Sequence, residues 1–261
     1  MRNYQSVDDG FFEQTGKRPN KRGKKLEQKA KARAERNKTT TVALDNLDVK
    51  DIKPITRSQS KAFTLFQKEN KNLALLGCAG TGKTFLASYL ALQKLMDKSA
   101  GINKIIIVRS AVQSRDMGFT PGSVGEKEEP YKQIYRNIFG EVMGGGDAFA
   151  LLEKKGYIEF MSTSFLRGLT FNDAIIIFDE IQNCNFTEIS TVISRLGQNS
   201  RIILAGDFRQ TDLIKKNDQS GFQDFVKIAG KMQEFGIVDF QPEDIVRSGF
   251  VRAWFEALAK S

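Results

Sequence analysis

Apolar residues in this chain occur in short dense runs that alternate with longer stretches of helical periodicity. Runs rich in Ile, Val and Leu are typical of parallel strands that are covered on both faces. The predicted strands are Leu73–Leu76, Lys104–Arg109, Tyr157–Met161, Ala174–Asp179, Arg201–Gly206 and, more weakly marked, Gly236–Phe240. The predicted helices cover residues 59–70, 83–97, 130–143, 186–196, 219–234 and 250–260. This order predicts an α/β fold with a mainly parallel sheet flanked by helices.

The segment from Val112 to Asp147 interrupts this rhythm, apart from the helix predicted at 130–143. It contains Gly118–Gly122, a charged run at 126–129 and three consecutive glycines at 144–146. Long irregular segments in compact domains usually serve a function or lack order. Two interpretations stay open: an excursion on the surface, or a loop that contacts a substrate or a neighbouring subunit.

Composition excludes several classes of protein. The 261 residues suit one large α/β domain with a tail, and 40% hydrophobic residues can build a core. No apolar run approaches the roughly 20 residues that span a bilayer, and the polar N-terminus does not resemble a signal peptide. Two cysteines, Cys78 and Cys184, are too few for a disulfide scaffold, so we expect reduced thiols near the nucleotide in a cytoplasmic protein. The absence of histidine excludes a histidine base and argues against a zinc site.

Positive charge is concentrated at the N-terminus. Residues 1–40 carry a net charge of +7, whereas the whole chain carries +9. We therefore predict two regions, a basic and flexible arm at 1–45 and an α/β domain at 46–261. The arm is interpreted either as a solvated leader or as a segment that neutralises nucleic-acid phosphates, and both can hold.

A glycine-rich motif follows the first predicted strand. Gly77, Gly82, Lys83 and Thr84 fit the pattern G-x-x-x-x-G-K-[ST], and a helical pattern begins at once. Such a loop turns its backbone N–H groups toward phosphates, and the helix N-terminus adds partial positive charge. Lys83 is expected to reach the β- and γ-phosphates, and the Thr84 hydroxyl to bind Mg²⁺. The motif predicts binding of a nucleoside triphosphate.

Two further strand ends carry polar residues. Asp179 and Glu180 follow the run Ala174–Phe178, so Asp179 is expected at the metal and Glu180 at the attacking water. Gly206–Leu213 begins at another strand end, where Gln210 is expected to reach the γ-phosphate or the attacking water. An ordinary turn would also explain either segment alone, but not both downstream of a phosphate loop.

Together these motifs resemble the ATPase core of superfamily 1 helicases, and more closely the PhoH family of phosphate-starvation-type ATPases. The resemblance spans roughly residues 50–258. The matching segments are Gln59, Gly77–Thr84, Val108–Val112, Gly118–Gly122, Phe165–Thr170, Asp179–Asn183, Gly206–Leu213 and Asp244–Arg247. It implies a single RecA-like P-loop NTPase domain. Departures are Cys78, where proline is common, and Gln113–Met117, which differs from cellular members.

The resemblance also implies roles for individual residues. Catalysis is assigned to Lys83, Glu180, Gln210 and Arg247, and the metal to Thr84 and Asp179. Nucleotide binding is assigned to Gln59, the adenine-reading glutamine, and to Gly77, Cys78, Ala79, Gly80, Thr81, Gly82, Lys83 and Thr84. Arg109 lies where helicase cores contact nucleic acid or phosphate. Arg167, Arg195 and Arg247 are interpreted either as phosphate contacts, including a finger offered to a neighbouring subunit, or as structural residues.

The expected function is hydrolysis of ATP with Mg²⁺. Because only one core is present where a helicase has two, the resemblance implies a homo-oligomeric ring, with a hexamer favoured. Two classes stay open. One is a motor on single-stranded RNA or DNA, with Phe119 and Tyr131 as candidate stacking platforms for bases. The other is a nucleotide-dependent switch or scaffold that binds a protein partner. A small-molecule kinase is the weaker third interpretation.

Overall fold

The computed structural model describes residues 49–110, 124–145, 147–207 and 216–258. The predicted arm, Phe119 and Gln210 lie outside the described residues. Six strands form one sheet in the order β3-β2-β4-β5-β1-β6, and every ladder between them is parallel. The strands are β1 Asn72–Gly77, β2 Lys104–Arg109, β3 Ile158–Ser162, β4 Ala174–Asp179, β5 Arg201–Gly206 and β6 Phe235–Phe240.

The sheet is buried on both faces, as its uninterrupted apolar strands predict. In β2, Ile105 and Ile107 belong to one core, while Ile106 and Val108 belong to the core on the opposite face. All four side chains are fully buried. Burying one such side chain contributes about 1.5–3 kcal/mol, so two filled cores hold the sheet between its helices.

Seven α-helices are present in the described part of the chain. They are α1 Arg57–Phe63, which continues as a π-helical turn at Thr64–Lys68, α2 Lys83–Met96, α3 Val124–Val142, α4 Ala148–Lys154, α5 Phe186–Ile193, α6 Lys216–Ala229 and α7 Gly249–Leu258. Helices α1 to α4 contribute to the core that contains Ile105, and α5 and α6 to the core that contains Ile106. None of these helices is long and apolar enough to cross a membrane.

Helix α3 corrects the prediction that Val112–Asp147 is irregular outside 130–143. The helix begins at Val124, so the charged run at 126–129 is helical. Pro130 favours a helix start, because proline lacks a backbone donor, yet here it lies inside the helix. Glu and Lys are good helix formers, which explains why the helix extends before the proline. Helix α4 also lies at the edge of this segment and was not predicted.

Two helix ends were predicted too late. Helix α6 begins at Lys216 and ends at Ala229, although the prediction covered 219–234. Gly230 follows directly, and glycine commonly terminates helices because it adopts the conformations a helix end requires. Helix α5 ends at Ile193 instead of 196, because Leu196 forms a parallel bridge with Phe171.

The carboxyl ends of the central strands lie side by side. Arg109 at the end of β2 pairs in register with Asp179 at the end of β4. Leu76 of β1 pairs with Gly206 at the end of β5. Ligands of open parallel sheets bind at this edge. The predicted α/β architecture, a mainly parallel sheet flanked by helices, is confirmed for the residues that the structure describes.

Candidate nucleotide site

The glycine loop lies between β1 and α2 and has the backbone geometry that glycine permits. Gly77 and Gly82 have φ values of +106° and +81°. A β-carbon on Gly77 would lie 2.1 Å from the carbonyl oxygen of Phe240 in β6. The buried Thr81 donates its hydroxyl to the carbonyl of Cys78 at 2.9 Å, which holds the loop in its curved form. The strand–loop–helix arrangement that the motif requires is therefore present.

Lys83 is the first residue of α2 and lies over this loop. Its ammonium group donates to the carbonyls of Gly77 and Cys78, at 2.8 and 2.6 Å. Burial lowers the pKa of Lys83 below its usual value, and the carboxylates of Asp207 and Asp179 partly offset this effect. The lysine thus faces both the loop and the acidic ends of two strands.

The carboxylate of Asp179 is the centre of a hydrogen-bonded group at the end of β4. The hydroxyl of Thr84 lies 3.2 Å from each of its two oxygens. The fully buried Tyr135 of α3 donates its hydroxyl to Oδ2 at 2.8 Å. Burial raises the pKa of Tyr135 well above its usual value, and the charge of Asp179 raises it further. Tyr135 therefore stays protonated and acts as a donor.

Glu180 has a left-handed backbone, with φ of +56°. Its carboxylate lies 3.4 Å from the Arg109 guanidinium and accepts a hydrogen bond from the side-chain amide of Gln182. Burial raises the pKa of Glu180, the neighbouring Asp179 raises it further, and Arg109 opposes both effects. A carboxylate with a raised pKa is a better proton acceptor than an ordinary glutamate.

The end of β5 is joined to this group through Gln182. The Gln182 side-chain oxygen accepts a hydrogen bond from the backbone N–H of the buried Asp207, at 3.1 Å. One amide therefore contacts Glu180 with its nitrogen and the β5 end with its oxygen. Gln210, three residues beyond Asp207, lies outside the described residues, so its contact with the γ-phosphate stays a prediction.

Two segments far apart in sequence flank the glycine loop. The side-chain amide of Gln59, in α1, donates to the carbonyl of Thr81 at 3.4 Å. On the other side, the Val246 N–H donates to the carbonyl of Gly80 at 3.1 Å. A β-carbon on Gly80 would lie 3.2 Å from the side chain of Arg247. Gln59 and Arg247 therefore both lie beside the loop, as the predicted site requires.

A cleft of about 500 Å³ brings together Lys83, Thr84, Asp179, Glu180 and Arg247, whereas Gln59 lies beside the loop but does not line the cleft. The glycine loop and the start of α2 form one wall, and the ends of β4 and β5 form the base. The remaining lining residues are Arg247 and four residues of α3, namely Ile134, Asn137, Ile138 and Glu141. The segment that interrupted the sequence pattern therefore contributes directly to the site.

The other candidate arginines differ in their surroundings. Arg195 donates to the backbone carbonyls of Thr191 and Leu169, at 3.3 and 3.2 Å, which supports its structural interpretation. Arg167 is exposed and makes no hydrogen bond or ion pair with any described residue. Arg109 forms an ion pair with Glu180, and its interpretation as a nucleic-acid or phosphate contact stays a prediction.

Both cysteines are free and buried. Cys78 belongs to the glycine loop, as predicted. Cys184 lies in the core that contains Ile106 and does not line the cleft, so its expected place near the nucleotide is not supported. Burial raises the pKa of the Cys184 thiol, which keeps it protonated and unreactive.

Sequence reasoning assigned no role to Tyr135 or Gln182. Gln182 lies within the matched segment Asp179–Asn183, so the motif contained a signal for it. No sequence signal marked Tyr135 as a site residue, because a tyrosine on the apolar face of a helix is typical of an ordinary core residue. Tyr131, a candidate platform for bases, has its ring 4.8 Å from the guanidinium carbon of Arg109.

The residues at the base of the cleft fit Mg²⁺. The Thr84 hydroxyl and the Asp179 carboxylate are adjacent, and both are oxygen donors. Mg²⁺ is usually bound by one or two protein oxygens, with waters and phosphate oxygens completing its coordination. These two residues therefore provide the kind and the number of protein ligands that a magnesium–nucleotide site needs.

Some solved helicase structures are similar to this chain at a low level. Pif1 helicase from Bacteroides in complex with ADP-AlF3 and ssDNA is 18% identical, with a TM-score of 0.33, covering 72% of this chain and 42% of that one. A hypothetical ATP-dependent RNA helicase from Sulfolobus tokodaii is 16% identical, with a TM-score of 0.37, covering 79% and 57%.

Similarity to curated proteins is stronger. A PhoH-like protein of Bacillus subtilis (strain 168) is 33% identical over 216 residues, which are 82% of this chain and 66% of that protein. Protein PhoH of Escherichia coli (strain K12) is 32% identical over 214 residues, which are 80% and 60%. The chain thus spans less than two thirds of the length of these relatives. The family model for PhoH-like proteins matches residues 51–259, which include every wall of the cleft. The chain belongs to the PhoH-like protein family.

Proposed function

We propose that this chain is a Mg²⁺-dependent ATPase. The observation that carries the proposal is the convergence of Lys83, Thr84, Asp179 and Glu180 at one edge of the sheet, with the threonine hydroxyl 3.2 Å from both aspartate oxygens. A phosphate loop and two acidic residues at a strand end are what hydrolysis of a nucleoside triphosphate requires. The position of Gln59 beside the loop supports adenine as the base.

Each residue has a distinct task in the proposed reaction. The glycine loop binds the phosphates, and Lys83 contacts the β- and γ-phosphates. Glu180 accepts a proton from the water that attacks the γ-phosphorus, and the bond to the β-phosphate oxygen breaks to release ADP and phosphate. Arg247 and Gln210 are proposed to contact the γ-phosphate. Held by Thr84 and Asp179, Mg²⁺ would neutralise charge on the phosphates.

We propose that ATP hydrolysis drives a motor activity on single-stranded RNA or DNA. The net charge of +7 in residues 1–40 supports it, because basic segments bind nucleic acid through its phosphates. The proposed assembly is a homo-oligomeric ring, with a hexamer favoured. It is supported by Arg167, which is exposed, makes no hydrogen bond or ion pair with any described residue and can reach a neighbouring subunit's site.

A nucleotide-dependent switch is the second candidate. Helix α7 begins two residues after Arg247. Two of its aromatic side chains are exposed, Phe250 to 80% and Trp254 to 59%. These residues are four apart and therefore lie on one face of the helix. An aromatic surface beside the nucleotide cleft suits a protein partner whose binding depends on the nucleotide.

The deciding experiment is steady-state ATP hydrolysis with oligo-uridine RNA, oligo-thymidine DNA or neither, at two salt concentrations. We expect Lys83→Ala to lower kcat/KM by at least about a hundredfold, because the contact to the transferred phosphoryl group is lost. Lys227→Ala is the matched control, since the Lys227 side chain is 71% exposed and does not line the cleft. Wild-type hydrolysis that does not depend on Lys83 would contradict the proposal.

The nucleic-acid arms separate the two candidates. Stimulation that falls with salt, and that weakens when Lys21, Lys24 and Lys25 are replaced by glutamine, supports the motor. Lys83-dependent hydrolysis that neither polymer changes supports the switch.

A further inference from the structure

Helix α3 carries two tyrosines that approach the two acidic residues of the site separately. Tyr131 and Tyr135 are four residues apart, so they lie on one face of the helix. Tyr135 contacts Asp179 directly, and Tyr131 contacts Arg109, which pairs with Glu180. No motif of the sequence assigned a task to this pair of contacts.

The hydroxyl of Tyr135 has a fixed position. Its ring packs against Phe149, with centroids 6.4 Å apart, and meets Phe160 edge-on at 5.9 Å. The side chain is fully buried, and its hydroxyl donates to Asp179 Oδ2 at 2.8 Å. The other donors to this carboxylate are the Thr84 hydroxyl and the backbone N–H of Glu180. The carboxylate is therefore oriented by three elements, of which α3 is one.

Tyr131 contacts the acidic residue Glu180 only indirectly, through Arg109. Its ring lies 4.8 Å from the guanidinium carbon of Arg109, within the range of a cation–π interaction. The guanidinium is largely buried, and its Nη2 lies 3.4 Å from Glu180 Oε1. Its Nη1 makes no hydrogen bond with any described residue, so the aromatic face is a main support of that side of the group.

We propose that Tyr135 and Tyr131 are positioning residues, with Tyr135 orienting Asp179 for the metal and Tyr131 orienting Glu180 through Arg109. The inference rests on the proposed function, because it concerns the same magnesium–nucleotide site. Helix α3 also lines the cleft through Ile134 and Ile138. The helix that lines the cleft thus also orients the carboxylates of Asp179 and Glu180.

Equilibrium binding tests the Tyr135 contact without measuring hydrolysis. Calorimetric titration with ADP is done in the presence of Mg²⁺ and in the presence of EDTA, and the ratio of the two affinities is compared. Tyr135→Phe keeps the packed ring and removes only the hydroxyl. We expect it to reduce the Mg²⁺ enhancement at least about tenfold, the usual effect of losing a partner of a metal ligand, with EDTA binding nearly unchanged.

Tyr89→Phe is the matched control for this variant. Tyr89 is also a buried tyrosine, and its hydroxyl accepts hydrogen bonds from the Ile52 N–H and from Gln93. It does not line the cleft. Its loss should lower stability but leave the Mg²⁺ enhancement of ADP binding as in the wild type.

Hydrolysis kinetics test the second contact. Tyr131→Leu removes the aromatic face, and we expect kcat to fall about tenfold while KM and the Mg²⁺ enhancement stay unchanged. Tyr131→Phe keeps the face and should restore most of the rate, which a role of the phenol hydroxyl would not allow.

Two outcomes would overturn the inference. One is a wild-type Mg²⁺ enhancement that persists in Tyr135→Phe, which would make that tyrosine a packing residue only. The other is a Tyr131→Leu variant with wild-type kcat. A wild-type protein whose ADP binding ignores Mg²⁺ would instead remove the proposed function, and the inference with it.

Discussion

Gly77 carries two constraints at the point where β1 enters the phosphate loop. Its φ of +106° is one that other residues rarely adopt. A β-carbon there would also lie 2.1 Å from the Phe240 carbonyl and 2.7 Å from a carboxylate oxygen of Asp239. The glycine therefore allows β1 and β6 to stay paired while the chain turns toward the nucleotide.

We expect Gly77→Ala to reduce the free energy of unfolding by about 3–5 kcal/mol, because backbone strain and a steric clash add together. Gly156→Ala is the control. Gly156 also has a positive φ, of +80°, but a β-carbon there would meet nothing within 4 Å. Its cost should be about 1 kcal/mol. Urea unfolding followed by circular dichroism measures both, and equal losses would contradict the steric argument.

Glu180 is strained in a way that points to its task. Four non-glycine residues in the described ranges have positive φ, and the other three are Asn70, Asp173 and Asn199. Asn and Asp tolerate this conformation through local hydrogen bonds, whereas Glu does not share that advantage. Strained backbone often occurs at functional sites. The left-handed backbone of Glu180 ends the strand, and its carboxylate lies beside the guanidinium of Arg109.

At the scale of elements, the ends of β4 and β5 are coupled by one side chain. Gln182 contacts Glu180 with its nitrogen and the Asp207 N–H with its oxygen. A β-carbon on Gly206 would lie 2.8 Å from the same oxygen, so glycine is needed for the amide to fit. This bridge fixes the distance between the acidic strand end and the segment that leads to Gln210.

Replacing Gln182 by alanine should therefore slow hydrolysis about tenfold while nucleotide affinity changes less than about twofold, because Glu180 loses a partner outside the phosphate contacts. The measurement is kcat together with ADP titration. Gln198→Ala is the control, since Gln198 is exposed and does not line the cleft. Loss of nucleotide affinity in step with kcat would show instead that the whole cleft had collapsed.

Helix α3 shows how an element can be predicted too short. The predicted helix starts at Pro130, a residue type that favours the first turn, whereas the observed helix starts six residues earlier, at Val124. The packing of Tyr135 and Phe139 into the core stabilises the helix on the far side of the proline. Tertiary burial thus outweighs the backbone hydrogen bond that proline removes.

In the whole molecule, the candidate arginines differ in whether they line the cleft of their own chain. Arg247 reaches it from the same chain, and Arg195 is bonded to its own helix and the adjacent loop. Arg167 is exposed on the loop after β3, which makes it the candidate to complete a neighbour's site. An arginine at a γ-phosphate can contribute about 10³–10⁵ in rate.

Mixing inactive variants tests this arrangement. We expect Lys83→Ala and Arg167→Ala each to lose most hydrolysis, and an equal mixture to recover roughly a quarter of the wild-type rate, because a quarter of the interfaces pair an intact lysine with an intact arginine. Adding the double variant to Lys83→Ala is the control and should recover nothing. A monomer by light scattering that hydrolyses ATP at full rate would contradict the ring.

Features that depend on local spacing could be predicted from the amino-acid sequence. The apolar runs located all six strands to within a residue or two at each end, and the glycine motif and Asp179–Glu180 marked two walls of the cleft. These features could be predicted because strand burial, loop geometry and strand-end carboxylates are encoded by neighbouring residue types.

Contacts between side chains far apart in sequence depend on the packing of the whole fold. Tyr135 and Asp179 are 44 residues apart, and Gln182 and Asp207 are 25 apart. Their contacts depend on how α3 packs on the sheet and on the parallel register that aligns the strand ends. Local periodicity does not predict this packing or this register, because both depend on how all the core side chains fit together. For that reason the sequence predicted the residues around the phosphates, while the tyrosines and the glutamine that orient them emerged only from the fold.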